Sequence, residues 1–372
     1  MKIIFYTDQT YLHGGLERVM ANKINYLCAN TEIKIHVVTF EQKDNSPCYP
    51  MKGNISYHDL NINYYRKISF LHPKNLIKVS KHFFKLKKKI REINPDVIIV
   101  CNYEYGFYFV PLLAKKAIKI KEYHSSKHFN FLRREQNNSF IKALIYRFSD
   151  YFESKYDYLV LLTRDELNYY RSNNKIVIPN AISNLPKTTA TLDQKNAISA
   201  GRIAPVKGFD KLISAWKIVA EEYPDWHLNI YGDGESNYVN TLKEQIVNLN
   251  LKDYVTIHGS TDNLEEKLLQ SSMYIMSSET ECFPMVLLEA MSCGLPVISF
   301  DCPNGPRNII RNNQDGILVE NNNIKVLAEN INHLIANPTI RKELGKKARL
   351  NVQKYQEDNI MKTWLKIFNN KS

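Results

Sequence analysis

Several features are rare or missing in this chain of 372 residues, and each absence excludes a class of protein. No window reaches the roughly 18 consecutive apolar residues that a membrane-spanning helix needs. The six cysteines include no Cys-x-x-Cys pair, so we expect reduced thiols rather than a disulfide framework. Glycine and proline, with 13 and 14 residues, are too few for a fibrous or low-complexity chain. An ordinary globular protein remains, and its reduced thiols predict a cytoplasmic location.

Two signatures of nucleotide chemistry are also absent. The sequence has no Gly-x-Gly-x-x-Gly, which excludes the usual dinucleotide-binding fingerprint. It has no Asp-x-Asp either, the pair of carboxylates with which metal-dependent transferases commonly hold a divalent cation. We therefore expect neither a bound metal nor a cofactor.

Short apolar runs alternate with amphipathic segments along the whole chain. This alternation predicts parallel sheets with helices on both faces, and its length predicts two Rossmann-like domains. We place an N-terminal domain at 1–180, a linker at 181–196, a second domain at 197–355 and a final helix at 356–372 that crosses back to the first domain. The predicted strands are 3–6, 35–40, 97–101, 118–123, 158–162, 176–178, 197–200, 227–231, 255–258, 274–276, 297–300 and 317–319.

The net charge of +12 is concentrated in one segment. Residues 64–91 contain ten lysines and arginines and no acidic residue. Apolar residues within this segment recur at spacings of three and four, which predicts an amphipathic helix with a basic outer face; they are Leu76, Val79, Phe83, Leu86 and Ile90. The apolar stripe is expected to pack on the N-terminal sheet. The lysines either remain in solvent or contact an anionic membrane, and nothing here resembles a module that reads nucleic acid.

Glu281 and Glu289 lie on either side of the start of a predicted helix. Phe283 and Pro284 follow the first glutamate, and proline is tolerated in the first turn because its missing N–H would have no partner there. Glu281 should then lie in a loop and Glu289 about two turns inside the helix. The N-terminus of a helix favours a phosphate, and the two carboxylates could hold sugar hydroxyls beside it. The alternative is an ordinary strand–helix unit with two surface glutamates.

The loop 201–208 carries Arg202 and Lys207 between a predicted strand and a predicted helix. Two cations in one such loop can neutralise a diphosphate, with the guanidinium donating as a fork and the ammonium acting as a point charge. By itself, a loop of this kind is more often solvated surface. A paired glycine, Gly14–Gly15, opens the first predicted helix, and such a pair permits close approach of backbone to a ligand or simply forms a tight turn.

The stretch from Glu281 through Cys282, Phe283 and Pro284 to Glu289, with the Gly-Leu-Pro-Val-Ile that follows, resembles the glutamate-x7-glutamate signature of family-4 retaining glycosyltransferases. That resemblance implies the GT-B fold, an α/β fold of two Rossmann-like doubly wound parallel-sheet domains facing across a cleft. Bacterial enzymes that build capsule, O-antigen and lipopolysaccharide are similar. The sequence departs from the family pattern at two positions. Cys282 stands where the family commonly has glycine, and Asn308 stands where it usually has glutamate.

The resemblance also implies roles for individual residues. Glu281, Arg202, Lys207 and His124 are expected to act in the reaction. Glu281 would hold the donor sugar, and the cations Arg202 and Lys207 would bind the diphosphate. His124 would hydrogen-bond a sugar hydroxyl, and His128 is a competing candidate for this last role. The remaining residues expected to contact the donor are Gly14, Gly15, Gly201, Gly232, Cys282, Phe283, Pro284, Met285, Val286 and, at the nucleotide ribose, Glu289.

The implied activity is transfer of a hexose or N-acetylhexosamine from a nucleotide sugar, with a UDP-sugar favoured, to a lipid-linked or surface glycan. Such an enzyme would act in the cytoplasm or at the inner face of the plasma membrane. Two alternatives stay open at this point: a nucleotide-sugar epimerase of similar shape, and a subunit of a glycan assembly complex that binds a nucleotide sugar without reacting.

Overall fold

A computed structural model describes residues 1–69, 72–102, 104–136, 139–183 and 185–370. Residues 70 and 71 of the predicted basic segment 64–91 and residue 184 of the predicted linker lie outside these ranges. The chain divides into two compact units. The N-terminal unit comprises Met1–Ala181 with the segment from Glu357, and the C-terminal unit comprises Ile182–Gln356.

The N-terminal unit is built on a parallel sheet. Within its described residues, the strands are β1 (Lys2–Tyr6), β2 (Lys34–Thr39), β3 (Ile55–Asp59), β4 (Val97–Val100), β5 (Ile118–Glu122), β6 (Tyr158–Leu161) and β7 (Lys175–Val177), in the order β3-β2-β1-β4-β5-β6-β7. The helices are α1 (Gly15–Asn30), α2 (Pro73–Ile93), α3 (Tyr105–Leu113), α4 (His128–Glu135), α5 (Phe140–Glu153) and α13 (Glu357–Asn369). The strand order reverses between β1 and β4, where a doubly wound sheet opens a crevice at the carboxyl ends of its strands.

The C-terminal unit repeats this plan. Its described strands are β8 (Asn196–Ala200), β9 (His227–Tyr231), β10 (Val255–Ile257), β11 (Met273–Met276), β12 (Val297–Phe300) and β13 (Ile317–Val319), in the order β10-β9-β8-β11-β12-β13. The helices are α6 (Phe209–Glu222), α7 (Ser236–Asn248), α8 (Leu264–Leu269), α9 (Met285–Ser292), α10 (Gly305–Ile309), α11 (Ile324–Ala336) and α12 (Pro338–Val352). Here the order reverses between β8 and β11.

The predicted strands are confirmed, each with ends within one residue of the prediction, because short apolar β-branched runs are buried in the middle of parallel sheets. Strand β3 was not expected. Its residues are half-buried or exposed at the edge of the sheet, and their apolar content is low. Each unit has its own apolar core, with Tyr6, Phe40 and Phe107 buried in the first and Trp216 and Phe300 in the second.

Helix α2 begins at Pro73 and buries most of the predicted apolar stripe, with Val79 packed against the core, but not all of it. Leu86 and Ile90 are buried, as predicted, but Leu76 is exposed, and the polar residues Asn75 and His82 are buried. The His82 ring is accommodated because the hydroxyls of Tyr6 and Tyr64 hydrogen-bond its two nitrogens. None of the helices in the described part of the chain is both long enough and apolar enough to cross a membrane.

Candidate active site

Lys207 and Glu281 meet at the point where the strand order of the C-terminal unit reverses. Lys207 ends a short 3₁₀ turn that follows β8, and Glu281 lies in the loop that follows β11. The ammonium of Lys207 donates to Oε1 of Glu281 over 2.5 Å, although 74 positions separate the two residues. Ser278 donates to the same oxygen over 2.8 Å. Crevices at such reversals are the usual ligand sites of open α/β sheets.

Close backbone packing holds the two loops together. Ser277 donates its hydroxyl to the carbonyl oxygen of Lys207 over 3.1 Å. Gly208 follows with φ 63°, and a Cβ at this position would lie 2.2 Å from the carbonyl oxygen of Ser277, so only glycine fits. On the other side, the amide of Gly305 donates to the carbonyl oxygen of Glu281 over 3.0 Å. The carboxylate of Glu281 therefore has a defined position before any ligand binds.

The floor of this site is the fully buried Tyr274 of β11. Its hydroxyl donates to the carbonyl oxygen of Ala200 over 3.0 Å. Burial, with the nearby charges of Glu281 and Glu289, raises the pKa of Tyr274 far above its ordinary value, so the phenol stays protonated. Tyr274 lines a small pocket together with Lys207, Glu281 and other residues of the two loops.

The helix that follows Glu281 starts one residue later than its proline. Pro284 is the N-cap and Met285 the first helical residue of α9, while Phe283 is buried with its ring edge-on to Tyr355. Glu289 is therefore the fifth residue of α9, a little more than one turn inside the helix. The expectation of about two turns was too large, because Glu289 is only four residues beyond Met285. Val286, in the first turn, lines the same pocket as Glu281.

Arg202 and the glycines near it lie in the loops that follow β8 and β9. Arg202 is exposed at the start of the loop that ends in Lys207. Gly232, after β9, has φ 149°, and a Cβ there would lie 1.9 Å from the carbonyl oxygen of Gly201. These two glycines let the loops after β8 and β9 touch through their backbones. Their glycine identity therefore has a structural cause, whatever they contact when a ligand is bound.

In the N-terminal unit, Gly14 is the N-cap of α1 and has an extended backbone, so neither it nor Gly15 needs a left-handed conformation. The side chain nearest to Gly14 is Glu17, which accepts a hydrogen bond of 2.6 Å from Gln9. Burial raises the pKa of Glu17, and the positive charge of a protonated His124 would act in the opposite direction. The loop after β1 and the loop after β5 are thus electrostatic neighbours.

His124 follows β5 by two residues and is half-buried. Its Nε2 lies 3.5 Å from Oε1 of Glu122, and that carboxylate forms a buried ion pair with Lys23 of α1. Burial alone would raise the pKa of Glu122, but Lys23 and His124 together hold it below its usual range. The competing candidate His128 is held differently, with Nδ1 in a hydrogen bond of 3.1 Å to the hydroxyl of Tyr169.

The buried pair Lys23–Glu122 was missed by sequence reasoning. One signal was available, because Lys23 falls on the same face of α1 as Met20, Ile24 and Leu27. A lysine within an apolar helix face needs a buried partner. The identity of that partner, 99 positions away, is visible only in the structure. Within the described residues, no cluster of three histidine, cysteine or acidic side chains could hold a metal ion.

Two family models match this chain in adjoining halves. The model described as glycosyltransferase family 4 matches residues 13–183, and the model described as glycosyl transferases group 1 matches residues 182–351. The chain belongs to the family-4 glycosyltransferases.

This glycosyltransferase has relatives along its full length. It is 29% identical to an uncharacterized glycosyltransferase of Haemophilus influenzae, over 98% of each chain. It is 26% identical to the amylovoran biosynthesis glycosyltransferase AmsD of Erwinia amylovora, over 99% of each chain. Among solved structures, a mutant of S. aureus TarM in complex with Fondaparinux, alpha-GlcNAc-glycerol and UDP has a TM-score of 0.77 and 19% identity, with 99% of this chain and 100% of that chain covered.

The comparisons confirm the expected family and the GT-B type of α/β fold with two parallel-sheet domains. In this glycosyltransferase the structure brings Lys207, Glu281 and Val286 to one pocket and places Arg202 in the same loop as Lys207. His124 lies in the other unit, beside Glu122. The role of each of these residues remains a prediction.

Proposed function

We propose that this glycosyltransferase moves a hexose or N-acetylhexosamine from a nucleotide sugar to a lipid-linked, lipopolysaccharide or capsule glycan, with retention of the anomeric configuration. The observation that carries the proposal is the Lys207–Glu281 pair, placed at the strand reversal of the C-terminal unit. A UDP-sugar is favoured, and the UDP in the TarM complex supports this choice. The similarity to an amylovoran biosynthesis enzyme supports a polysaccharide acceptor.

The Lys207–Glu281 pair can bind both the diphosphate and the sugar of the donor. The Lys207 ammonium has three N–H groups and gives one to Glu281, so it can donate further to a phosphate. Lys207 and Ser278 both bind Oε1 of Glu281, and we assign Oε2 to a hydroxyl of the donor sugar. Arg202 would add a second positive charge at the diphosphate. As the bond to the sugar breaks, these cations would stabilise the charge that develops on the leaving diphosphate.

The other assignments complete the reaction. We propose that the free N–H groups at the start of α9 face the diphosphate and that Glu289 binds the nucleotide ribose. His124 would hydrogen-bond the donor sugar from the N-terminal unit. The incoming hydroxyl would attack on the face that the diphosphate leaves, and the departing phosphate oxygen would accept its proton. We expect this reaction to need no metal, so activity should persist in EDTA.

We further propose that the protein works at the cytoplasmic face of a membrane, with the basic segment 64–91 near anionic headgroups. Not every lysine of α2 is free for this role. Lys78 and Lys85 turn back and donate to the carbonyl oxygens of Asn63 and Leu60. The exposed lysines of the helix, which we assign to the membrane contact, are Lys74, Lys81 and Lys88.

Thermal unfolding with UDP, GDP, ADP, dTDP and their common sugar conjugates would identify the donor. A ligand at about 100 times its Kd stabilises the folded protein by about 2.7 kcal/mol, which is a measurable rise in Tm. One nucleotide should give a clear shift and the others none. No shift with any of them, for a folded sample, would count against the donor site proposed here.

Transfer assays with that donor would then test Glu281. We expect Glu281→Gln to reduce kcat by about 100-fold or more, because the substitution removes a charge that faces the reacting sugar, while the shift with the free nucleotide persists. The matched control is Glu279→Gln, two residues away, which removes only a half-exposed carboxylate paired with Lys211. Full activity of Glu281→Gln would refute the assignment.

A further inference from the structure

Helix α5 of the N-terminal unit presents an apolar face to solvent. Along its 14 residues, six large apolar side chains are between 54% and 83% exposed: Phe140, Ile141, Leu144, Ile145, Phe148 and Tyr151. Their spacing places them along one side of the helix. Single exposed apolar side chains are normal on protein surfaces, but a continuous row of this size marks a surface that contacts something.

The acidic residues of the same helix face the protein, beside the buried Phe152. Asp150 forms an ion pair of 2.8 Å with Arg134 of α4, and Glu153 forms one of 2.5 Å with Lys127. Glu153 is completely buried and also accepts a hydrogen bond of 3.1 Å from Tyr123. A surface helix usually turns its apolar stripe inward, whereas α5 buries only Phe152 of its large apolar side chains. Both acidic side chains of α5 are therefore occupied on the protein side, and the outer face carries no negative charge.

Positive charge borders the exposed face. Lys142 and Arg147 are exposed on α5, and Arg133 is exposed on α4. The whole N-terminal unit has 32 lysines and arginines against 18 aspartates and glutamates, a net charge of +14. The C-terminal unit has 18 against 20, a net charge of −2. The net charge of the protein thus resides entirely in the unit that exposes the apolar face.

We propose that the α5 surface, defined as the six exposed apolar residues of α5 with Lys142 and Arg147, inserts into the interfacial layer of an anionic lipid bilayer. A helix of this length would lie about 21 Å along the membrane plane, with its apolar side chains among the acyl chains and its cations at the headgroups. A second copy of the chain fits less well, because two units of charge +14 would repel each other. The contact is separate from the basic face of α2, and it does not depend on the transfer reaction.

Sedimentation with lipid vesicles tests this proposal without any donor present. The probes are vesicles of phosphatidylcholine alone and of phosphatidylcholine with about 30% phosphatidylglycerol. We expect the protein to bind the second kind, and Ile141→Ser/Leu144→Ser to lower its partition coefficient at least about tenfold, because two apolar side chains no longer leave water. Lys142→Glu/Arg147→Glu should reduce the preference for phosphatidylglycerol, to which the basic face of α2 also contributes.

The matched control is Val247→Ser/Leu350→Ser, which removes two similarly exposed apolar side chains from the C-terminal unit and should leave binding unchanged. A second comparison is Lys74→Glu/Lys81→Glu, which changes only the basic face of α2. Circular dichroism and the Tm of each variant confirm that it is folded.

Two results would overturn the proposal. One is a serine variant of α5 that binds vesicles as well as the unchanged protein does. The other is light scattering that shows a dimer which only the α5 variant loses, because a second copy would then occupy the surface. Neither result bears on whether sugar is transferred.

Discussion

Lys23 and Glu122 form an ion pair inside the N-terminal unit, and removing either member should destabilise that unit strongly. Their side chains are only 5% and 3% exposed. The ammonium of Lys23 also lies 3.6 Å from the centre of the Trp364 ring on α13. Lys23→Met would leave a buried carboxylate without its cation, and Glu122→Gln a buried ammonium without its anion. Each change should lower the free energy of unfolding by about 3–5 kcal/mol.

Replacing both members separates the effect of the pair from the effect of each side chain. In Lys23→Met/Glu122→Gln no charge of the pair is left buried, so the loss should be smaller than the sum of the two single losses by about 2 kcal/mol. The pH dependence has a defined sign. Because the pKa of Glu122 in the folded protein is below its ordinary value, the pair stabilises fully above about pH 4.3 and its contribution is lost as the pH falls further.

Urea unfolding gives the free energies, and hydrogen exchange shows where the loss occurs. Peptides from β5 and α13 should exchange faster in each single variant, while those from β11 in the other unit should not change. The surface pair Lys347–Glu343 on α12 is the matched control. Both side chains are about half exposed, so Lys347→Met should leave the free energy of unfolding almost unchanged. Single losses below about 1 kcal/mol, or strict additivity in the double variant, would refute the reasoning.

Two further predictions concern single residues. Gly232→Ala should destabilise the C-terminal unit by about 1–3 kcal/mol in urea unfolding, because the new Cβ would lie 1.9 Å from the Gly201 carbonyl oxygen. The control is Gly15→Ala, whose Cβ meets nothing within 4 Å and which should not change the stability. A Gly232→Ala variant as stable as the unchanged protein would contradict the geometry. Burial lowers the pKa of His82 to about 3, so only the unfolded chain takes up a proton between pH 6.5 and 5, and stability should fall by about 2 kcal/mol over that range. His82→Phe should flatten this fall, and an unchanged slope would show that other groups cause it.

Much of the fold could be predicted because parallel strands are short, apolar and buried on both faces. Each strand therefore appears in the sequence as a continuous run of apolar residues. The exceptions have physical reasons. Strand β3, with the sequence Ile-Ser-Tyr-His-Asp, lies at an edge and pairs through backbone groups that any sequence supplies. Helix α12 is rich in lysine and arginine, and its apolar residues are few, so its pattern does not stand out from loop.

Helix α2 shows a different limit. A pattern of apolar residues predicts which face is buried only when polar side chains stay outside. His82 is buried because Tyr6 and Tyr64 supply partners to its ring, while Leu76 is exposed. In α5 only Phe152 of the large apolar residues is buried, while Asp150 and Glu153 form ion pairs on the protein side. The apolar pattern identified the inner face of α2 except at Leu76, and it did not identify the outward face of α5.

The sequence by itself determined the family, the alternation of strands and helices, and the loops in which Glu281, Arg202 and Lys207 lie, because these are properties of adjacent residues. Only the tertiary structure decided that Lys207 pairs with Glu281, that Lys23 pairs with Glu122 and that α5 turns its apolar face outward. Such contacts join residues distant in the chain, and they depend on which strands become neighbours in the sheet. No local pattern carries that information, because the free energy of burying a charge is set by the partner that the fold brings to it.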